Sequence, residues 1–258
     1  MAAMLSPFTP TFRQPRTKMS RCQPPQNPIT TSACWRVITF LFIATLSMPR
    51  LLPLFPLNLV VFPGEKLNLH IFEPRYRQLV RECIEQNVTF GIPPYLDNSL
   101  SEIGTEMRLL GVEQTYSSGE LDIRSKAVGV FRINKFYRQA PGKLYAGGLV
   151  ENVVQDTVAD PVLREIITKQ VRQLYEALGL RKLLLELAPD YCIFDVAHHI
   201  GFSTEQEYQL LATTSEQERQ EMVRDHLDTI LPVVLETERL KERVRLNGHF
   251  KNLTPPNF

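Results

Sequence analysis

The apolar residues between positions 51 and 157 form short runs and alternations that predict β-strands separated by turns. An apolar run over Leu57–Phe62, interrupted only by Asn58, lies between Pro56 and Pro63, which predicts a buried strand that ends in a turn. Alternation of apolar and polar residues over 67–71 predicts a half-exposed strand. Further strands are predicted at Val88–Tyr95, Glu106–Tyr116, Leu121–Ala127, Val128–Tyr137 and Leu144–Val154.

One helix interrupts these strands, and two tight turns join some of them. The helix is predicted to begin at Glu73-Pro74, because proline is tolerated in the first turn, and to stop near Asn87. We expect Glu73 to cap its start and His70, just before it, to face solvent. The turns are predicted at Ser117–Glu120 and Pro141-Gly142.

Beyond residue 157 the apolar spacing changes to three and four, which is typical of amphipathic helices. Asp160 and Pro161 supply a cap and a first-turn proline for the first of them, and Gly179 stands where a terminating glycine belongs. A second helix is predicted from about Asp190 to Ile200.

Two capping boxes predict the starts of the remaining helices. Ser203–Gln206 begins a short helix, and Ser215–Glu218 begins a long last helix that we expect to reach about Val244. Pro232 lies inside the last helix, where it is predicted to kink the helix or split it in two.

The whole pattern predicts an α+β protein, with a small β-barrel or folded sheet followed by a helical bundle. We expect a β-rich subdomain over residues 51–157 that contains the inserted helix. An α-helical subdomain over 158–246 and a frayed tail over 247–258 complete the predicted organisation.

Residues 1–50 have a different composition, rich in Pro, Ser, Thr and Gln and without a helical or strand period. Three interpretations stay open: a targeting or export signal, a disordered tail, or translation from an upstream start with Met48 as the true first residue. The third is favoured because Met48 leads directly into the folded pattern, and it implies a cytoplasmic protein. A signal implies an organelle or export instead. The apolar run Trp35–Leu46 is too short for a transmembrane helix, which needs about 20 residues.

The net charge of +1 hides an asymmetry between this segment and the rest of the chain. Residues 1–50 contain six basic and no acidic residues, so the remainder has 23 basic and 28 acidic residues, a net charge of −5. An acidic body repels phosphate backbones, which argues against a nucleic-acid partner. The four cysteines form no Cys-x-x-Cys pair, so neither a metal site nor a disulfide framework is expected.

No recognisable catalytic or nucleotide-binding motif is present in the sequence. Gly142-Lys143 lacks the leading glycine and trailing hydroxyl of a phosphate-binding loop. The adjacent His198 and His199 point in different directions on a helix, so we expect a solvated or capping role for them rather than metal ligation. We therefore expect no catalytic residue, no metal and no cofactor.

The segment from Leu54 to Arg77 carries a family resemblance. It reads Leu-Phe-Pro-Leu-Asn-Leu-Val-Val-Phe-Pro-Gly over Leu54–Gly64 and Leu-Asn-Leu-His-Ile-Phe-Glu-Pro-Arg-Tyr-Arg over Leu67–Arg77. This order resembles the opening of the Lon protease amino-terminal, substrate-binding domain, and the likeness extends to about Val244. The resemblance implies a PUA-like β-barrel subdomain followed by a helical bundle with a long last helix.

The resemblance also implies a function in recognition, because this domain of Lon helps to capture unfolded or tagged proteins. Full Lon proteases continue into ATPase and peptidase domains that this sequence lacks, so we expect a stand-alone, non-catalytic module. Its expected partners are polypeptide substrates or a protease, for which it would act as an adaptor. From expected exposure alone, the candidate binding residues are Phe62, Lys66, His70, Glu73 and Arg75.

An RNA-binding module is the alternative, because PUA-like folds include RNA binders. Its candidate residues are Arg132, Lys135, Arg138 and Lys143, which are interleaved with aromatic residues. The acidic body makes this alternative the weaker one. We expect a monomer or a weak dimer, with the apolar residues of the last helix packed within the chain.

Overall fold

The computed structural model describes residues 49–187 and 191–249. The expected leader up to Met48 and the tail from residue 250 lie outside these ranges. The strands are β1 (Arg50–Leu54), β2 (Lys66–Ile71), β3 (Phe90–Ile92), β4 (Tyr95–Leu96), β5 (Ser99–Leu100), β6 (Ile103–Thr115), β7 (Leu121–Tyr137) and β8 (Ala146–Val153). The helices are α1 (Pro74–Gln86), α2 (Pro161–Ala177), α3 (Arg181–Glu186), α4 (Ile193–Ala197), α5 (Thr204–Ala212) and α6 (Glu216–His249).

The predicted α+β class is confirmed: a sheet precedes a set of helices. Six strands form the main sheet in the order β2-β7-β6-β3-β1-β8. Since β7 also pairs with β8, the pairings of β7, β6, β3, β1 and β8 close into a ring. The β1–β3 pair is parallel and the other pairs are antiparallel. β2 extends the sheet beyond β7.

Phe131 fills the middle of this ring and explains two glycines. It is fully buried, next to Leu52 and Leu54 in a small apolar cluster. A Cβ atom at Gly91 or Gly104 would come within 2.6 Å of the Phe131 ring. Both strands therefore need glycine at these positions in order to close around the aromatic side chain.

The predicted strand at Leu57–Phe62 is wrong, and the first strand lies earlier, at Arg50–Leu54. The segment 58–62 is irregular, although Val60, Val61 and Phe62 are buried. Leu57 alone forms an isolated bridge. A mainly apolar run is compatible with any buried segment, and the flanking Pro56 and Pro63 cannot donate backbone hydrogen bonds to a ladder.

The two strands predicted at Leu121–Ala127 and Val128–Tyr137 are one strand, β7. The register of β6 against β7 shifts at this point: Glu106 faces Gly129 and Met107 faces Ala127. The predicted boundary between residues 127 and 128 is therefore the position of a β-bulge, which bends a strand without ending it. This bend lets the first part of β7 pair with β2 and the last part with β8.

The predicted boundaries of helices α1 and α2 are confirmed. Pro74 begins α1, and Asn87 ends it in the left-handed conformation, with φ 51°. The Asp160 carboxylate caps α2 by accepting hydrogen bonds from two backbone N–H groups, and Gly179 follows its end with φ 70°. The expected side-chain cap at Glu73 is wrong: its carboxylate pairs with Arg75 at 2.8 Å instead.

The later helices agree with the sequence signals only in part. Ser203 forms the predicted capping box of α5. The second predicted helix is shorter than expected, Ile193–Ala197, and its predicted start at Asp190 lies outside the described residues. Helix α3 was not predicted. Helix α6 passes Pro232 without interruption, so the predicted split is wrong.

The β-rich and helical parts share a hydrophobic core. Val60, Phe62, Ile103 and Val130 of the β-rich part belong to the same buried cluster as the apolar sides of α2, α4, α5 and α6. Leu227 and Leu231 of α6 are buried in this cluster, whereas Leu235 and Leu240 further along the helix are exposed, so the first half of α6 packs within the chain. The two parts therefore stabilise each other.

A buried arginine on helix α6, Arg219, is hydrogen-bonded to the segment that follows β8. Arg219 is 1% exposed and donates to the Glu216 carboxylate at 2.9 and 2.7 Å. It also donates to the carbonyls of Thr213, at 2.7 Å, and Asp156, at 2.5 Å, and to the side chain of Gln155. This network satisfies the buried charge with hydrogen bonds from both parts of the chain.

Candidate functional site

The polar edge at the start of α1 contains four of the predicted binding residues. Lys66, His70, Glu73 and Arg75 lie at the surface, Glu73 partly buried. The His70 ring pairs with Asp122 at 2.7 Å, and this hydrogen bond raises the pKa of His70. The exposed charges of this edge are therefore largely paired with one another.

Phe62, the fifth predicted binding residue, is not at the surface. It is 1% exposed and stacks on Phe194 of helix α4, with ring centroids 5.0 Å apart. A large apolar side chain next to a Pro-Gly turn looked accessible from the sequence. The packing of α4 against this turn buries it, so we assign Phe62 a structural role.

His198 connects the same turn to the helical part, which corrects the expected solvated or capping role. Its ring lies 4.6 Å from that of Phe62, and its two nitrogens face Glu207 at 2.7 Å and Glu65 at 3.2 Å. Burial lowers the pKa of His198, but the hydrogen bonds to the two carboxylates outweigh burial and raise the pKa to about 9. A cationic His198 therefore bridges the two parts at neutral pH. A cavity of about 500 Å³ opens beside it.

The predicted RNA-binding residues do not form one basic stripe. Arg132, Lys135 and Arg138 are exposed on or just after β7, and Lys135 lies over the Tyr137 ring at 5.2 Å. Lys143 lies elsewhere, paired with Glu82 of helix α1 at 2.8 Å. Among the described residues, no carboxylate pairs with Arg132, Lys135 or Arg138.

A cavity of about 380 Å³ lies at the other end of α1, and Lys143 is the one predicted site residue that lines it. It is bounded by β1, by the end of α1 and by the turn between β7 and β8. Leu51 and Val88 line it and are 55% and 38% exposed. Large apolar side chains therefore face solvent at a concave surface, as binding surfaces require.

A second cavity, of about 210 Å³, lies next to the first at the end of α1. Both are lined by Asn87 and Val88, and the second adds the exposed side chains of Ile84 and Leu110. We call the two together the α1-end groove. Four exposed apolar residues along one groove distinguish it from surfaces where such residues occur singly.

The ionisable residues Glu82 and Cys83 of the α1-end groove are poorly suited to acid–base or nucleophilic chemistry. Burial raises the pKa of Glu82, but hydrogen bonds from Lys143, Tyr145 and Gln78 outweigh it and lower the pKa. Burial raises the pKa of the Cys83 thiol, which lines the second cavity, to about 12. A carboxylate held by three donors is a poor base, and a protonated thiol is a poor nucleophile.

The described ranges contain no group of three or more His, Cys, Asp or Glu side chains arranged to hold a metal ion. Within the same residues, no helix is long and apolar enough to cross a membrane.

Comparisons with known proteins identify the family to which the chain belongs. Among solved structures, the chain is similar to a Lon N-terminal domain protein from Xanthomonas campestris, with 26% identity and a TM-score of 0.53 over 67% of this chain and 96% of that one. The N-terminal domain of a Mycobacterium avium complex Lon protease shares the fold, with 15% identity and a TM-score of 0.54 over 69% and 98%. No curated protein sequence matches the chain. Residues 51–229 match the family model of the ATP-dependent protease La (Lon) substrate-binding domain, and the chain therefore belongs to that family.

Proposed function

We propose that this protein is a non-catalytic module that binds unfolded polypeptide segments at the α1-end groove, acting as an adaptor for a protease. The observation that carries the proposal is the row of exposed apolar side chains along one concave surface, in a chain whose family is defined by substrate binding. Unfolded chains expose apolar side chains that folded proteins bury, so such a groove distinguishes the two.

The groove suits weak, reversible binding. Complete burial of a valine or leucine side chain contributes about 1.5–3 kcal/mol, so covering a half-exposed one contributes about 1 kcal/mol. Leu51, Ile84, Val88 and Leu110 together would contribute about 4 kcal/mol before the apolar surface of the ligand is counted. We therefore expect dissociation constants in the micromolar range or weaker, which suits a module that hands substrates on.

We propose that the protein has the architecture that the family resemblance implies. We propose that the closed ring of strand pairings is the PUA-like β-barrel and that α2 to α6 are the helical bundle. The groove then belongs to the β-rich part, and the shared core holds that part against the helices.

The test is the binding of a reduced, alkylated and therefore permanently unfolded protein, measured by fluorescence anisotropy. We expect the double variant Ile84→Ser, Val88→Ser to bind at least tenfold more weakly than the unchanged protein. The control is Val154→Ser, Val158→Ser, which removes two even more exposed apolar side chains away from the groove and should bind within twofold. Equal losses in both variants, or no binding by the unchanged protein, would refute the proposal.

A further inference from the structure

Strand β1 has a full partner on one edge and an incomplete one on the other. Along its whole length, Arg50 to Leu54, it pairs with β8. With β3 it pairs only at Leu54, which faces Gly91, and the Phe55 N–H donates to the Gly91 carbonyl at 2.8 Å. Among the described residues, the first three residues of β1, Arg50 to Leu52, therefore have no strand partner on this edge.

Pro53 explains why the parallel ladder stops. The backbone groups of successive residues in a strand point to opposite edges, so Pro53 and Leu51 face the same edge as Phe55. The next rung of the ladder would need a hydrogen bond from residue 53 to the carbonyl of Thr89, and proline has no N–H to donate. Among the described residues, Leu51 has no backbone partner on this edge.

The open edge lies in the α1-end groove. Four consecutive residues of β1, Arg50 to Pro53, line the cavity of about 380 Å³, and Val88 lies opposite them. At about 3.3 Å per residue, this edge is about 13 Å long, which suits a strand of four residues. Leu51 thus offers the groove a backbone donor and acceptor as well as an exposed side chain.

We propose that an extended polypeptide segment adds to the free edge of β1 as a further strand, hydrogen-bonded to the backbone of Leu51 and with alternate side chains in the groove. This inference rests on the proposed function and specifies the conformation that the bound segment adopts. Backbone pairing supplies affinity that does not depend on the sequence of the segment, and the apolar groove adds a preference for apolar side chains at every second position.

The charges around the groove select an uncharged segment. Arg50 pairs with Glu106 at 2.5 Å, and Lys143 pairs with Glu82 at 2.8 Å. Both cations that line the cavity beside β1 are thus paired with a carboxylate, so this part of the groove offers no excess charge to a phosphate backbone or an acidic peptide, whereas the exposed Arg108 lies in the second cavity. A neutral apolar strand complements it.

The experiment uses the full chain and an amide-capped, dye-labelled eight-residue peptide of alternating leucine and serine. Two N-methylated versions of this peptide are compared with it. In one version the backbone N–H groups of the even positions are methylated, and in the other those of the odd positions. Since a strand pairs through one set of N–H groups and turns the other away, we expect one version to bind at least tenfold more weakly and the other within twofold. Equal effects of the two versions would overturn strand addition while the proposed function stands. If neither this peptide nor the unfolded protein binds, both proposals fail.

Amide hydrogen exchange and one pair of variants provide independent readouts. The Leu51 amide should exchange rapidly in the free protein and be protected when the unmodified peptide is bound. Slow exchange in the free protein would mean that another part of this chain already occupies the edge, which would contradict the proposal. Leu51→Pro removes the donor and should weaken peptide binding at least tenfold relative to Leu51→Ala, which keeps it. If Leu51→Pro does not fold, the N-methyl comparison decides.

Discussion

Replacing His198 by glutamine should loosen the contact between the two parts of the chain and remove a specific pH dependence of stability. In the folded protein the ring is 30% exposed and donates to Glu207 and Glu65. Burial lowers its pKa, but the two carboxylates outweigh burial and raise the pKa from the ordinary 6.5 to about 9. Folding therefore favours the protonated ring.

The size of the effect follows from the pKa difference. At about 1.4 kcal/mol for each pKa unit, a rise from 6.5 to about 9 corresponds to about 3 kcal/mol. Partial exposure of the ring lets solvent screen the ion pairs, so we expect about 2 kcal/mol. Because the folded pKa is the higher one, this stabilisation is complete below pH 6.5 and is lost as the pH rises through about 9.

Urea unfolding at intervals from pH 6 to pH 9.5 measures this loss. The unchanged protein should lose about 2 kcal/mol of unfolding free energy more than His198→Gln over that range. His199→Gln is the matched control, because His199 is the neighbouring exposed histidine, and it should behave as the unchanged protein does. If the pH profiles of the unchanged protein and His198→Gln are parallel, the assigned ion pairs do not stabilise the fold.

Two further predictions concern the buried network and the core. Arg219→Met leaves the Glu216 carboxylate buried without its partner and should cost about 3–5 kcal/mol in urea unfolding; a loss below about 1 kcal/mol would contradict the network. Gly91→Ala places a Cβ atom within 2.6 Å of the Phe131 ring and should cost about 1–3 kcal/mol. The control Gly111→Ala meets nothing within 4 Å and should change stability by less than about 0.5 kcal/mol; equal losses in both would refute the packing argument.

Local signals in the sequence were sufficient where a structure depends on neighbouring residues. Pro74 and Asn87 delimit α1, and Asp160 and Gly179 delimit α2, because caps and first-turn prolines act within one turn of the helix. The sequence was insufficient where pairing joins distant segments. Whether Arg50–Leu54 or Leu57–Phe62 forms a strand depends on the availability of β8, about 100 residues later in the chain.

The candidate site was harder to predict than the fold, because the sequence does not reveal which apolar residues stay exposed. Phe62 looked like a surface residue and is buried by α4. Val88, predicted to begin a strand, is 38% exposed, and Leu51, for which no strand was predicted, is 55% exposed beside the point where β1 stops pairing with β3. Pro53, inside the first strand, was the one local feature of the sequence that indicated an unpaired strand edge.

The central claim is that an unfolded polypeptide binds at the α1-end groove. Amide hydrogen exchange of the full protein, measured with and without the reduced, alkylated protein, locates the binding surface and tests this claim most directly. The α1-end groove predicts slower exchange of backbone amides over residues 50–53 and 84–89, with little change over 66–75 at the polar edge of α1. The two regions are separable because the ends of α1 lie about 18 Å apart. Protection confined to 66–75, or to 132–138 on β7, would contradict the account.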